Sequence, residues 1–291
     1  EPDWRPRDTR GRPGGLIILD PDVKTMVVPD LHARRSFFHT ILTEGDGRAL
    51  SLMRDGRLQI VCLGDGFHSE RHIRRWLSAY DEYDEGFRRH RSMDAEMADS
   101  LGLMEMVMTV KCAFPRSFHY LKGNHDNISN ETGDGNYAFH KYADEGAMVH
   151  FYARRFLGDE FLSLYYRFEK ELPLLAAGRS FLASHSEPSR FFPRREVVEY
   201  RENREAVYGL TWTDNDKAQR GSVMQMIEEY LDPSFHQTGL YLGGHRPVER
   251  RYARRAGGRY VQIHNPRKWL VAVIGETGIV DPVKGIIEVK E

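Results

Sequence analysis

Five places in this 291-residue chain gather residue types that could do chemistry, and each sits where an apolar run stops. Met26–Pro29 is followed by Asp30 and His32, and Leu58–Gly64 by Asp65. Phe118–Leu121 runs into Gly123, Asn124, His125 and Asp126. Phe181–Ser184 ends at His185, and Leu240–Gly244 at His245. A strand fixes a position, a glycine permits the sharp turn, and polar side chains then project from the strand's C-terminal end. One such tripeptide carries little weight, because Asn, His and Asp are ordinary turn residues. With 13 histidines in the chain, a few fall near strand ends by chance. Five ordered motifs together reverse that reading. His68, His119, His140, His236 and His264 belong to no complete motif and read as structural.

Collected, the set offers carboxylates, an amide and imidazoles. Such a mixture suits Mn, Fe or Zn better than Ca or Mg. An aspartate able to bridge, with D-x-H upstream and Asn plus two His downstream, makes a two-metal site. Two cations ~3.5–4 Å apart lower the pKa of a shared water and clamp phosphoryl oxygens during in-line attack. His125, beside a ligand but not needed as one, is then free to protonate the leaving oxygen.

The elements that must position these groups follow from the pattern. Residues at strand ends converge along one edge of an α/β sheet, where such folds bind ligands. Leu58–Gly64 is the clearest buried strand. Leu16–Leu19 and Thr25–Val28, around D-P-D, read as a hairpin or two neighbouring strands. Phe37, Phe38, Ile41 and Leu42 have helical spacing, closed by Gly45–Gly47. From about 70 to 112 the chain is charge-rich, with Trp76, Tyr80, Met93, Met97, Leu101, Met104 and Met108 at helical intervals. Two helices bent near Gly86 or Arg91 are expected there, the Met stripe serving as core. Asn130–Asn136 is a loop with the wrong spacing for calcium. Tyr137 to Leu172 reads as largely helical, Leu174–Ala177 and Ser180–Ser184 as a hairpin, and 187–208 as polar and irregular. Met224–Tyr230 is a helix. Arg259–His264, Trp269–Ile274 and Ile286–Val289 are closing strands.

No Pro/Ser/Gly-rich linker divides the chain, and the site residues span positions 30 to 245. Both facts point to one domain over 16–291 behind an N-terminal arm over 1–15, flexible or laid on the surface. Net charge is −1 and pI about 7.0, so no overall basic field suggests a nucleic-acid polymer as partner. The run Arg246–Arg255 reads as a solvated face. Cys62 and Cys112 lie in apolar surroundings and are expected to be buried free thiols. No apolar run approaches the ~20 residues of a membrane span, and the arm lacks an apolar signal core, which favours a cytoplasmic location.

The order Asp30-x-His32, Gly64-Asp65, Gly123-Asn124-His125-Asp126, His185, Gly244-His245 resembles the calcineurin-like metallophosphoesterase superfamily. Within it, Thr211-Trp212-Thr213-Asp214 and Gln219-Arg220-Gly221 are similar to the L-W-S-D and N-D-R-G of the phosphoprotein (Ser/Thr) phosphatase branch. His185-Ser186-Glu187-Pro188-Ser189 is similar to H-G-G-L-S-P without its glycines. The resemblance covers about residues 24 to 275. It implies an α/β fold, a β-sandwich of two mixed sheets flanked by helices, here with an extra helical insertion at about 70–112. It implies that Asp30 and His32 bind a first metal, that Asp65 bridges, and that Asn124, His185 and His245 bind a second. His125 would be the general acid and Arg220 a phosphate-binding arginine. The implied activity is hydrolysis of phosphomonoesters, with a phosphorylated protein as substrate; the alternatives are a small phosphoester or nucleotide as substrate, or a metal-binding scaffold without turnover. Departures from the family are Pro29 and Ala33 for glycines, Ser69 for a phosphate-binding arginine, and His68 for the aspartate that orients the catalytic histidine. Either Glu70, or less readily Asp126, replaces that carboxylate, or the acid works with a lower pKa.

Overall fold

The apolar runs assemble into two sheets, in a computed structural model that describes residues 4–43 and 49–290. The expected helix stop at Gly45–Gly47 lies outside the described residues. In chain order the elements are β1 (Leu16–Ile18), β2 (Lys24–Val28), α1 (Arg35–Thr43), α2 (Ala49–Arg54) and β3 (Leu58–Cys62). Then come α3 (Ile73–Asp84), α4 (Arg91–Ala113), β4 (Phe118–Tyr120), α5 (Glu145–Tyr152) and α6 (Gly158–Lys170). They are followed by β5 (Leu175–Ala177), β6 (Phe181–Ser184), α7 (Arg194–Val198), α8 (Arg204–Thr211) and α9 (Ser222–Tyr230). The chain closes with β7 (Leu240–Gly243), β8 (Ala253–Arg255), β9 (Tyr260–Gln262), β10 (Leu270–Ile274), α10 (Pro282–Gly285) and β11 (Ile286–Glu288).

One sheet has the order β1-β5-β6-β7-β9-β8 and the other β11-β10-β2-β3-β4. Both are mixed: β2, β3 and β4 run parallel, as do β6, β7 and β9, while β10 runs antiparallel to both its neighbours and β5 runs parallel to β1 but antiparallel to β6. Successive side chains of a strand face opposite ways, so each sheet has two apolar faces to cover. Val27, Val61, Ala183, Leu242, Val261 and Ala272 fill the layer between the sheets. Val28, Ile60, Cys62 and Phe118 turn outward under α1 to α6. Leu175, Leu182 and Tyr241 turn outward under α7 to α9. This is a β-sandwich of two mixed sheets flanked by helices.

Several expectations hold in detail. The insertion is two helices with the bend between Asp84 and Arg91, and Met93, Met97 and Met104 are core. Others need correction. Leu16–Leu19 and Thr25–Val28 do not pair: β1 lies beside β5 in one sheet and β2 beside β3 in the other. The turn between them carries the chain across the sandwich, which local sequence cannot distinguish from a hairpin. The helical stretch after Tyr137 starts only at Glu145. Residues 187–208 are not irregular throughout, since α7 and most of α8 fall within them. Cys62 is buried, but Cys112 is exposed on the outer side of α4. The arm is laid on the surface, with the Ile18 N–H donating to the Trp4 carbonyl at 2.8 Å.

Candidate metal centre

Six parallel strands deliver their C-terminal ends to one place. β2, β3 and β4 end two to four residues before Asp30, Asp65 and Asn124, while β6, β7 and β9 end one or two residues before His185, His245 and His264. The loops there are tightly wound. Of the ten non-glycine residues with positive φ among the described residues, five are His32, Ala33, Asp65, His68 and His245. Strain of about 1–3 kcal/mol per residue persists only where surrounding contacts over-determine the backbone. Ala33, at φ 57°, takes up a left-handed conformation that glycine would adopt without cost. Two glycines are required by close approach: a Cβ on Gly123 would overlap the Asp65 carboxylate, and one on Gly244 the Asp30 carboxylate.

The structure brings six of the expected residues together, all buried. Asp65 Oδ2 lies 3.5 Å from His32 Nε2 and 3.4 Å from His185 Nε2. His32 Nε2 is also 4.0 Å from Asp30 Oδ2. Asn124 Oδ1 stands 2.8 Å from His185 Nε2 and 3.0 Å from His245 Nδ1. Nearby polar groups hold this arrangement. The His125 N–H donates to Asp65 Oδ1 at 2.8 Å, and the His245 N–H to Asp30 Oδ2 at 2.8 Å. His185 Nδ1 faces the Leu63 carbonyl at 2.9 Å, which leaves Nε2 bare toward Asp65. Asp126 accepts from the backbone N–H groups of Asp65 and Gly123 and from the Tyr120 hydroxyl.

Electrostatics explain why such a cluster asks for cations. Burial, then the neighbouring charges of Asp30 and Asp126, push Asp65 well above the carboxylate range. Burial takes His32 down to about 3 and lowers His185 and His245 too, the neighbouring imidazoles adding to it at His245. Asp30 Oδ1, His245 Nε2 and His264 Nδ1 are buried with no hydrogen-bond partner among the described residues. Unpartnered buried acceptors are costly, and a metal ion is what neutral imidazoles beside carboxylates are built to receive. The residues therefore fit a metal.

Two residues read as structural, or as serving elsewhere, belong here instead. His264 forms a compact donor group with Asp30 and His32. Its Nε2 lies 2.7 Å from Glu70 Oε2 and its Nδ1 3.7 Å from Asp30 Oδ2. The signal was present, since an apolar strand ends at His264, but no glycine or aspartate marks it. Glu70 is 3.7 Å from His32 Nε2 and also pairs with Lys141. Burial would raise its carboxyl, but His32, His264 and Lys141 outweigh that and hold it below the usual carboxylate range.

His68 likewise is not a bystander. Its ring centroid is 4.7 Å from that of His125, so the loop faces the histidine it was expected to face. Neither Glu70 nor Asp126 hydrogen-bonds the His125 ring, whose Nδ1 is buried with no hydrogen-bond partner among the described residues. Glu145, at the start of α5 and wholly buried, sits 3.3 Å from His68 Nε2 and accepts from the backbone N–H groups of Lys141 and Tyr142. Asp126 is engaged by backbone N–H groups, and Glu70 by His264 and Lys141. His125 is held well below the ordinary imidazole range by burial first and by His68 and His32 next. His119, His140 and His236 stay outside the cluster.

Arg220 is exposed and lines a cavity of about 380 Å³ with Glu187, Asp216 and Arg255. Arg246, directly after His245, pairs with Asp214, whose Oδ1 is 3.7 Å from His245 Nε2.

No family model and no curated protein sequence matches this chain. Solved structures do. A protein serine/threonine phosphatase from Saccharomyces cerevisiae with similarity to human phosphatase PP5 superposes with TM-score 0.55 at 13% identity, over 94% of this chain and 82% of that one. A cold-active protein tyrosine phosphatase superposes with TM-score 0.50 at 13% identity, over 94% and 82%. The chain shares the fold of these two phosphatase structures.

Proposed function

We propose that this protein is a dinuclear metal-dependent phosphomonoesterase. The observation that carries the reading is Asp65 Oδ2, within 3.5 Å of both His32 and His185, one imidazole on each side of the cluster. On this reading Asp30 and His32 would hold one ion, Asn124, His185 and His245 the other, and Asp65 would serve both. Mn, Fe and Zn suit the donor set. Bound ions would supply charge neutralisation and a nucleophile competent at neutral pH.

The chain's own residues do the rest. His125 is tethered through its backbone N–H to Asp65, and its ring, packed between His32, His68 and Phe139, is placed to protonate the leaving oxygen. His68 packs against that ring and is itself anchored by Glu145. Phe139, 4.7 Å away on centroids, helps exclude water from the imidazole. Arg220, by resemblance, and Arg246, by position, are the candidates for gripping the substrate phosphate. The substrate is a phosphorylated protein or a small phosphoester, and the protein phosphatases among the structural neighbours lend support to the first.

The test is metal analysis of the purified protein, together with hydrolysis of an aryl phosphate before and after chelation. About two ions per chain, with activity lost on chelation and restored by Mn, Fe or Zn, is the expected result. A fully loaded protein that hydrolyses neither the aryl phosphate, a phosphopeptide nor a nucleotide would overturn the reading.

A further inference from the structure

Beside the metal centre, two adjoining hollows share Arg71 and Trp269. The inner one, about 260 Å³, has His32 in its wall together with Arg35, Arg71 and His72. The outer one, about 420 Å³, is lined by Arg71, Arg267, Lys268 and Lys290. The groove is strongly cationic, and its acids are already engaged. Asp99 pairs with Arg75 at 2.8 Å and Glu288 with Lys268 at 3.2 Å. Arg35, Arg71 and Arg267 are exposed, and among the described residues none of their guanidinium groups has a carboxylate partner.

The groove is tied to the metal centre by buried backbone contacts. Arg34, two residues after His32, donates to the carbonyls of Asn265 at 3.1 Å and Lys268 at 3.3 Å. That clamps the 265–269 loop against the Asp30–His32 loop. Arg71 follows Glu70, whose carboxylate is 3.7 Å from His32. Unpaired guanidinium groups held beside a phosphoester site are suited to forked binding of phosphate oxygens.

We infer that this groove binds a second phosphate carried by the substrate, beyond the one that is hydrolysed. The inference rests on the phosphomonoesterase reading and narrows it to substrates bearing two phosphates. Their source is a small bisphosphate or a doubly phosphorylated peptide. Arg71 is the residue common to both hollows, and Arg267 guards the outer one.

The experiment compares hexose 6-phosphate with hexose 1,6-bisphosphate, and a singly with a doubly phosphorylated serine peptide, as substrates of the Mn-loaded protein. A second phosphate is expected to raise kcat/KM at least tenfold in one of the two pairs, mainly through KM, and the pair affected identifies the source. In a variant carrying Arg71→Ala and Arg267→Ala, folded by circular dichroism, that ratio should fall toward one. It should also shrink in wild type as salt is raised. A ratio near one in both pairs, or one that survives the double substitution, overturns the inference and leaves the phosphomonoesterase reading standing. If nothing is hydrolysed, the phosphomonoesterase reading fails. Calorimetric binding of hexose 1,6-bisphosphate over hexose 6-phosphate then decides the groove separately: a preference lost in the double variant supports it, and none overturns it.

Discussion

Asp65 and His125 are joined by a single hydrogen bond, yet their replacement should give opposite signatures. Asp65 Oδ2 is shared between His32 and His185, so Asp65→Asn is expected to reduce metal content and turnover together. Metal analysis showing two ions and near-normal turnover in that variant would remove the shared role. His125 bonds Asp65 through its backbone N–H, which substitution leaves in place, while its ring packs beside His32. His125→Asn should therefore keep its metal while turnover falls by about 10²–10⁴-fold, the worth of general acid catalysis. The loss should be smaller for an aryl phosphate, whose leaving oxygen needs no proton. Loss of metal in that variant would instead make the ring a ligand. The two arginines separate by the same logic. If Arg246 grips the phosphate, Arg246→Ala raises KM for the aryl phosphate and Arg220→Ala does not; the reverse result restores the assignment drawn from resemblance.

At the scale of elements, the centre depends on how closely the loops after β2 and β7 approach. Gly244 leaves no room for a methyl group, because a Cβ there would overlap the Asp30 carboxylate. Gly244→Ala is accordingly expected to cost at least one metal ion per chain without unfolding the sheets. Unchanged metal stoichiometry with native circular dichroism would show that Asp30 has freedom the packing denies it. The same scale explains what could be read in advance. Asp30, Asp65, Asn124, His185 and His245 were legible because each follows an apolar run and a turn-forming residue, a signal held within a few residues. His264 and Glu70 were not, because their roles arise from strands and loops that meet only in three dimensions. Glu145 was further out of reach: it approaches His68 across 77 positions of sequence, from a stretch that reads only as largely helical. Which sheet β1 joins is likewise a long-range choice, fixed by its parallel register with β5 and by nothing in the D-P-D turn.

Across the whole molecule, the N-terminal arm joins the two sheets, and one buried histidine sets the pH at which that join weakens. The Trp4 carbonyl accepts from Ile18 at the end of β1, while its ring lies 5.5 Å from that of His119 on β4. Lys111 stands 5.0 Å over the same indole and donates to the carbonyls of Pro115 and Phe118. His119 is therefore packed against an indole and faces a cation, with Nε2 3.0 Å from the Arg116 carbonyl. Burial, then the charge of Lys111, takes its imidazole from 6.5 down to about 3. The neutral form belongs to the folded state, so the full contribution to stability is present above about 6.5. As pH falls below that value the unfolded chain takes up the proton first, and stability is lost at about 1.4 kcal/mol per pH unit until the folded value is reached. Histidines of the metal centre add slopes of the same sign, so the measurement must be a difference. Denaturant melts of wild type and His119→Gln, followed between pH 7 and 5, should diverge in slope by about one proton, the wild type losing stability faster on acidification. Parallel slopes would mean that His119 can protonate in place, and that the arm is not held by a neutral ring.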